Sequence, residues 1–482
     1  MRVSKAMAGL WRVGWRLGVG LLVLVLALLV ACLTGVDSRP YGETAYAARA
    51  RVSLQSLASR PDLVTTNAFR AGFGRAKLTP TLGAMADDSE RGEFRAVPLA
   101  GYGQREGRPA TGVHDDVWVK AFAFAVGGQT GVVVAADALI IPREVAEMAA
   151  ERIRSECGLS REQVYFGATH THCSLGGWGE GMVAQAFAGG FQPGVRVWMA
   201  RQLATAAAAA VRNLGDAAVG GGSFNAPEFI RNRLVGEQGR VDPEFALLVV
   251  RKEDGTTGVV GSYSAHATVL PGRFMEFSGD YPGYWQRRVE EQSRGMALFL
   301  AGGVGSHGPK PPENGLEGAR RMGEALADRT LEAVRTIPLT NRIEGALATL
   351  AVTLPPLQAR VSDGVRLRPW VARRLLPVGA ETHLQVLRLA DRVWLSTPCD
   401  YSGEMALDLK AAASSNGLHA AVTSFNGDYV GYVVPAKYYS MNTYETRTMS
   451  FFGPQLPQYF DALLGGLVSV VAPNSSAPKP GG

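Results

Sequence analysis

The sequence predicts an α/β fold of the mixed α+β kind, with layered mixed β-sheets flanked by helices. Three observations carry this. Strand-like and helix-like stretches intermingle without strict alternation, apolar hairpins are frequent, and 46% of the 482 residues are hydrophobic. That apolar content is globular, and the length suits one large domain or two ordinary ones. Strict alternation would instead predict a doubly wound parallel sheet. No short-period repeat is visible.

Taken in order, the chain opens with Arg2, Lys5, Arg12 and Arg16, followed by an uncharged run from Leu17 to Val36. Twenty helical residues rise about 30 Å, enough to cross a bilayer core. A basic start before an apolar run leaves the positive end in the cytoplasm. Three assignments compete: an uncleaved anchor, a lipoprotein signal using the lipobox-like Leu29-Val30-Ala31-Cys32, and a cleaved signal peptide. The last ranks lowest because no Ala-X-Ala site with a short apolar region is present. Residues 1–36 are therefore an N-terminal membrane anchor or signal segment. The expected location is membrane-anchored and extracytoplasmic, periplasmic or at the cell surface. Residues 37–68 read as a polar, partly helical connector, and the body runs from 69 to 470.

Gly72 to Pro80 reads as a strand ending in a turn. Val117–Val126 and Val132–Ala136 form a hairpin across Gly127–Gly131, and a helix follows from Pro142 to Glu156. Gln163–Phe166 is a short buried strand, and Val195–Leu214 a helix closed by Gly215. A second hairpin, Phe245–Val250 with Val259–Ser264, turns at Glu253-Asp254-Gly255. Tyr284–Gln292 is helical, Ala297–Leu300 a strand, and Leu316–Thr336 an amphipathic helix. Strands at Ala346–Leu354, His383–Leu389, Arg392–Ser396 and Ala420–Ser424 complete the set, with a helix at Gly403–Ala413. Val361–Val378, with Arg366, Arg368, Arg373 and Arg374, is either a surface helix facing anionic headgroups or a solvated charged face. The Pro/Ser/Gly-rich end, 471–482, is expected to be disordered.

The net charge of +6 is no nucleic-acid signal, because four cations sit in the first sixteen residues and no basic stripe interleaves with aromatics. Four cysteines (Cys32, Cys157, Cys173, Cys399) make no disulfide framework, although a Cys173–Cys399 bridge is left open. Chemistry concentrates in Gly167-Ala-Thr-His-Thr-His-Cys-Ser-Leu-Gly-Gly177, which holds two of the seven histidines. His170 and His172, alternating at a strand end, present two imidazoles on one side, a pattern that suits a zinc-type ion. His266, Asp400 and Tyr432 likewise sit at or beyond strand ends, where open sheets present ligands.

These pieces resemble the neutral (non-lysosomal) ceramidases, zinc amidases that cleave the N-acyl bond of ceramide. The matching motifs run in family order. They are Gly112-Val113-His114, Gly167–His172, Asn232-Arg233, Val241-Asp242, Ser264-Ala265-His266, Ser278-Gly279-Asp280, Pro398-Cys399-Asp400, Tyr429-Val-Gly-Tyr432, Tyr444-Glu445 and Phe452-Gly453-Pro454. The resemblance implies a zinc amidase catalytic domain over 69–470 and one Zn2+ held by His170, His266, Asp400 and Tyr432. It implies that His172 sits beside the metal and that Arg233 and Tyr444 line the substrate carbonyl. His114 and Asp280 would be groups that orient ligands. The implied activity is release of a fatty acid from ceramide or a similar lipid amide at a membrane surface, with neither nucleic acid nor a protein partner. Two alternatives stay open: hydrolysis of a different amide or ester at the same metal centre, and an inactive lipid-binding homologue. Three departures from the family pattern stand out. Asp400 replaces a Glu. Gly302–Pro309, with Ser306 and His307, replaces a Gly-Asp-Val-Ser-Pro-Asn motif. The sequence also ends before a C-terminal β-sandwich domain.

Overall fold

The structure, a computed structural model, describes residues 2–376 and 378–473, so most of the tail expected to be disordered (474–482) lies outside the described residues. Three elements lead in: helices α1 (Arg2–Cys32) and α2 (Ala45–Ala58) and the long strand β1 (Thr65–Lys77). One motif then occurs three times, an antiparallel hairpin, a helix, and a strand returning parallel to the hairpin's second strand. The first is β2 (Trp118–Val126), β3 (Gln129–Ala136), α3 (Arg143–Cys157) and β4 (Val164–Ala168). Helices α4 (Gly181–Ala188) and α5 (Pro193–Arg212) and strand β5 (Gly215–Asn225) lead to the second. It is β6 (Glu244–Lys252), β7 (Thr257–Tyr263), α6 (Asp280–Ser293) and β8 (Met296–Ala301). After α7 (Gly315–Val334), β9 (Arg342–Thr353) and α8 (Pro369–Leu375) comes the third. It comprises β10 (Glu381–Leu389), β11 (Arg392–Ser396), α9 (Gly403–Ser414) and β12 (His419–Thr423), and α10 (Leu456–Val471) follows it.

The twelve strands hydrogen-bond in the order β8-β7-β6-β5-β1-β9-β10-β11-β12, and β2, β3 and β4 branch from β1. The strands face one another across a core of Phe69, Phe73, Phe122, Phe124, Leu248, Leu298, Leu387 and Trp394. Helices cover the outer faces: α3 and α5 over β2–β4, α6 and α7 over β6–β8, and α2, α9 and α10 over β9–β12. Strand β6 shows why its sequence is continuously apolar. Phe245 and Leu247 face α6 and α7, while Ala246, Leu248 and Val250 face the inter-sheet core, so alternation buries both sides. The mixed α+β expectation holds.

Several boundaries differ from the sequence reading. The apolar run does not continue as helix to Val36. Among the described residues Gly14–Cys32 is the one helical stretch long and apolar enough to cross a membrane, and Leu33–Gly35 is a strand paired antiparallel with Val365–Leu367. Within 37–68, α2 buries Ala47, Ala50 and Leu57 against the body. Val361–Val378 forms part of two short strands plus the seven-residue α8 rather than one helix. Gly215 begins β5, a strand missed because Gly220-Gly221-Gly222 carries no side chains to alternate. Glycine is required there: a Cβ on Gly220 would lie 2.1 Å from the Pro338 carbonyl oxygen. Gly220→Ala is therefore expected to destabilise the protein by about 1–3 kcal/mol through overpacking, read as a lower urea midpoint. An unchanged midpoint would mean that the 338 backbone yields freely.

Candidate metal centre

The three parallel pairs deliver the site. His170 and His172 follow β4, His266 follows β7, the loop Gly302–His307 follows β8, Asp400 follows β11, and Phe425 to Tyr432 follows β12. Side chains leaving the carboxyl ends of parallel strands converge where loops replace the sheet.

Hydrogen bonds fix the tautomers. His170 Nδ1 lies 2.6 Å from the Leu139 carbonyl oxygen, and His266 Nδ1 lies 3.3 Å from that of Val304. A carbonyl only accepts, so each Nδ1 carries the proton and each Nε2 presents a lone pair. Those two Nε2 atoms are 2.8 Å apart. Burial pushes the His170 pKa down to about 3 and His266 and His172 well below the ordinary imidazole value, so all three are neutral near pH 7. Two facing lone pairs with no proton between them repel, and a cation at that point removes the conflict. The backbone of His170 sits in the left-handed region at φ +64°, a strained conformation for a non-glycine residue that aims the ring inward.

The remaining donors agree. Asp400 Oδ1 is 3.4 Å from His170 Nε2 and accepts no hydrogen bond, whereas Oδ2 accepts one from the Tyr429 hydroxyl at 2.8 Å. Among the described residues both ring nitrogens of buried His172 lack a partner, and the donor atoms of His170, His172 and His266 all lie within 4.8 Å of one another. Imidazoles plus a carboxylate, buried and unsatisfied, are donors that could hold a metal ion. Burial raises Asp400 to about 7, a cost that a bound cation reverses.

Asp400 and Tyr432 are register partners in a short parallel bridge, which sets their side chains next to each other. The Tyr432 hydroxyl accepts from Arg233 Nη2 at 2.9 Å, and Arg233 Nε stands 3.2 Å from Glu445. Tyr444 is half exposed, 5.6 Å ring to ring from Tyr432, at the start of a π-helical turn (Tyr444–Thr448). Arg233, Tyr432 and Tyr444, with His172 and His266, border a cleft of about 800 Å³ whose other walls include Tyr102, Met182, Val183 and Phe187. The structure thus brings His170, His172, Arg233, His266, Asp400, Tyr432 and Tyr444 near one another.

Groups that the sequence left open lie apart from the candidate ligands or are otherwise engaged. His114 bonds the Tyr284 hydroxyl at 2.9 Å, and the Asp280 carboxylate accepts from the backbone N–H groups of Leu270 and Tyr281. Neither hydrogen-bonds a candidate ligand. All four cysteines are free. Ser306 is no activated nucleophile. The Asp242 backbone N–H donates to His307 Nε2 at 3.0 Å, so Nδ1 bears the proton and donates to Ser306 Oγ at 2.8 Å. The imidazole therefore cannot take the proton of Ser306, whose hydroxyl meets Ser402 at 2.7 Å instead. Burial holds His307 down at about 4. A depressed histidine contributes stability that is present above its unfolded value near 6.5 and is lost as pH falls toward 4. The gap in urea midpoint between the wild type and His307→Asn is expected to narrow from pH 7.5 to pH 4.5. A gap independent of pH would show that His307 is not held neutral.

Two supports were missed in the sequence. Arg105, buried in a loop, donates to the carbonyls of Ala100, His172, Gly272 and Phe274, tying three loops around His172. Gly101, at φ +114°, lets that loop touch the ring: a Cβ there would lie 2.5 Å from His172 Cγ. A lone arginine and glycine in a loop carry no local signal of this role.

Residues 82–304 match the family model described as neutral/alkaline non-lysosomal ceramidase, N-terminal. Over 233 residues the chain is 27% identical to the neutral ceramidase of Mycobacterium tuberculosis, an alignment covering 44% of this chain and 36% of that protein. The chain thus spans little more than a third of that curated relative's length. The fold is similar to the crystal structure of neutral ceramidase from Pseudomonas aeruginosa and to that of a ceramidase complexed with C2. In each case the TM-score is 0.69 at 18% identity, covering 86% of this chain and 77% of the other. The family match takes in His170, His172, His266 and Arg233 and stops before Asp400, Tyr432 and Tyr444. Through residues 82–304 the chain is similar to the neutral/alkaline non-lysosomal ceramidases.

Proposed function

We propose that this protein is a zinc-dependent amidohydrolase that cleaves the N-acyl bond of ceramide or a similar lipid amide, held at a membrane by α1 with its body outside the cytoplasm. The observation that carries the reading is the pair of neutral Nε2 lone pairs 2.8 Å apart beside an unsatisfied Asp400 oxygen, next to a cleft that His266 and His172 line. His170, His266, Asp400 and Tyr432 would hold the ion. Bound zinc supplies Lewis acidity and lowers the pKa of water toward about 7.

The chain's own residues account for the other requirements. Arg233 and Tyr444 present N–H and O–H donors toward the cleft, where a substrate carbonyl oxygen gains negative charge. Glu445 and Tyr432 fix the guanidinium, so little reorganisation is needed when that charge develops. His172, neutral and without a hydrogen-bond partner, is free to take a proton at one ring nitrogen and pass it to the leaving amine. Met182, Val183 and Phe187 line the cleft with apolar surface suited to an acyl chain. The domain division belongs to the same proposal: 69–470 as the catalytic body, with α2 packed onto it and α1 as the anchor.

The direct test is zinc content with fatty-acid release from a fluorescent ceramide by the purified full chain. Zinc with no ceramide turnover would move the substrate to another amide or ester. Absence of both would leave a lipid-binding relative. A milder test concerns Tyr429. Removing the hydroxyl that orients Asp400, in Tyr429→Phe, is expected to weaken metal affinity about 10- to 100-fold, read by competition with a chelating dye. Unchanged affinity would show that the hydroxyl does not position the carboxylate.

A further inference from the structure

The end of α1 is stitched to the body rather than tethered through a loose linker. Leu33–Gly35 pairs with Val365–Leu367, the Arg368 backbone N–H donates to the Cys32 carbonyl at 2.8 Å, and Arg368 Nε donates to that of Val30 at 3.1 Å. Asp37 and Gln358 close the junction with two further bonds, at 2.7 and 3.1 Å. The next residues form α8, whose Trp370 is 52% exposed and whose Arg373, Arg374 and Leu375 also face solvent. Trp370 lies across a hollow of about 720 Å³ from Val23, Leu26 and Val30, side chains of the apolar stretch itself. A tryptophan flanked by arginines beside the last turns of a spanning helix sits at headgroup depth.

The far end of α8 belongs to the catalytic cleft. Leu376, one residue past the helix and about 9 Å along its axis from Trp370, lines the cleft together with Met182 and Phe187 of α4, which packs against α8. Met182 is 74% exposed at this mouth. The anchor, the basic aromatic helix and the mouth of the cleft are therefore consecutive parts of one surface.

We propose that the α4–α8 lip rests in the headgroup layer of the membrane that α1 enters, so that the cleft opens onto the bilayer and a lipid amide enters from the leaflet instead of from water. The occupant of this surface is a lipid face bearing anionic headgroups, selected by Arg373 and Arg374 and by the interfacial Trp370. The inference rests on reading α1 as the anchor.

The test uses the full chain in vesicles of phosphatidylcholine with phosphatidylglycerol, with the photo-crosslinker p-benzoylphenylalanine at position 370, 182 or, as an exposed control, 85. Retention after an alkaline carbonate wash is scored first. Lipid adducts at 370 and 182 but not at 85 are the expected result. Arg373→Glu with Arg374→Glu is expected to lower the adduct yield at 182 about fivefold or more. An anchored chain without lipid adducts at 182 overturns the lip while leaving the catalytic proposal intact. A chain washed off by carbonate overturns anchor and lip together. Adducts on a protein that hydrolyses no amide would uphold the surface and sink the catalytic reading instead.

Discussion

The His170→Ala protein is expected to lose its zinc and, with it, amide hydrolysis down to the background of the assay. The imidazole it removes supplies one of the two facing Nε2 atoms and stands 3.4 Å from Asp400 Oδ1, so the cation site loses its central donor. Stability gives a readout independent of turnover. In the metal-free wild type two neutral lone pairs confront each other in a buried site, a conflict that zinc relieves and the substitution abolishes. Zinc at 1,000 times its Kd stabilises the native state by about 4 kcal/mol. A chelator should therefore lower the urea midpoint of the wild type markedly and leave that of His170→Ala where it was. A wild-type midpoint indifferent to chelator would sink the metal centre whatever the activity shows.

The site was more legible than the body. His-X-His after a short apolar strand, another histidine at a second strand end, and motifs in family order located residues that the fold then gathered. What stayed hidden was whatever acts through the backbone or across long loops. Tyr429 was visible within Tyr429-Val-Gly-Tyr432, but its bond to Asp400 depends on how the loop after β12 folds back. Arg105 works by donating to four carbonyls, and carbonyls leave no trace in a sequence. Strand β5 escaped because alternation is a side-chain signal and glycines have none. The succession of hairpin, helix and strand was legible, but not that each third strand returns parallel to its hairpin's second strand, because that pairing lies in topology and not in residues. That pairing explains the site: each motif ends a parallel pair at the same kind of edge, and each edge contributes at least one candidate ligand.

Arg233→Met should separate holding the metal from driving the reaction. The guanidinium is fixed on two sides, by the Tyr432 hydroxyl and by Glu445, while the residue's backbone N–H donates to the Ser306 carbonyl at 2.9 Å. Only its side-chain bonds are lost in the variant. Removing one pre-organised donor at a developing oxyanion lowers kcat by about 10²- to 10³-fold. The expected result is a fall of that size in kcat with little change in KM, at wild-type zinc content. Arg233→Lys should recover only part of the rate, because an ammonium lacks the planar fork that meets Glu445 and Tyr432 together. If zinc fell in step with kcat, Arg233 would instead be the residue that places Tyr432. If KM rose with kcat unchanged, its contact would be with the bound substrate and not with the charge that forms during bond cleavage. Glu445→Gln sharpens the distinction: it frees the guanidinium without removing it, so a loss of rate smaller than that of Arg233→Met would assign the difference to the donor itself.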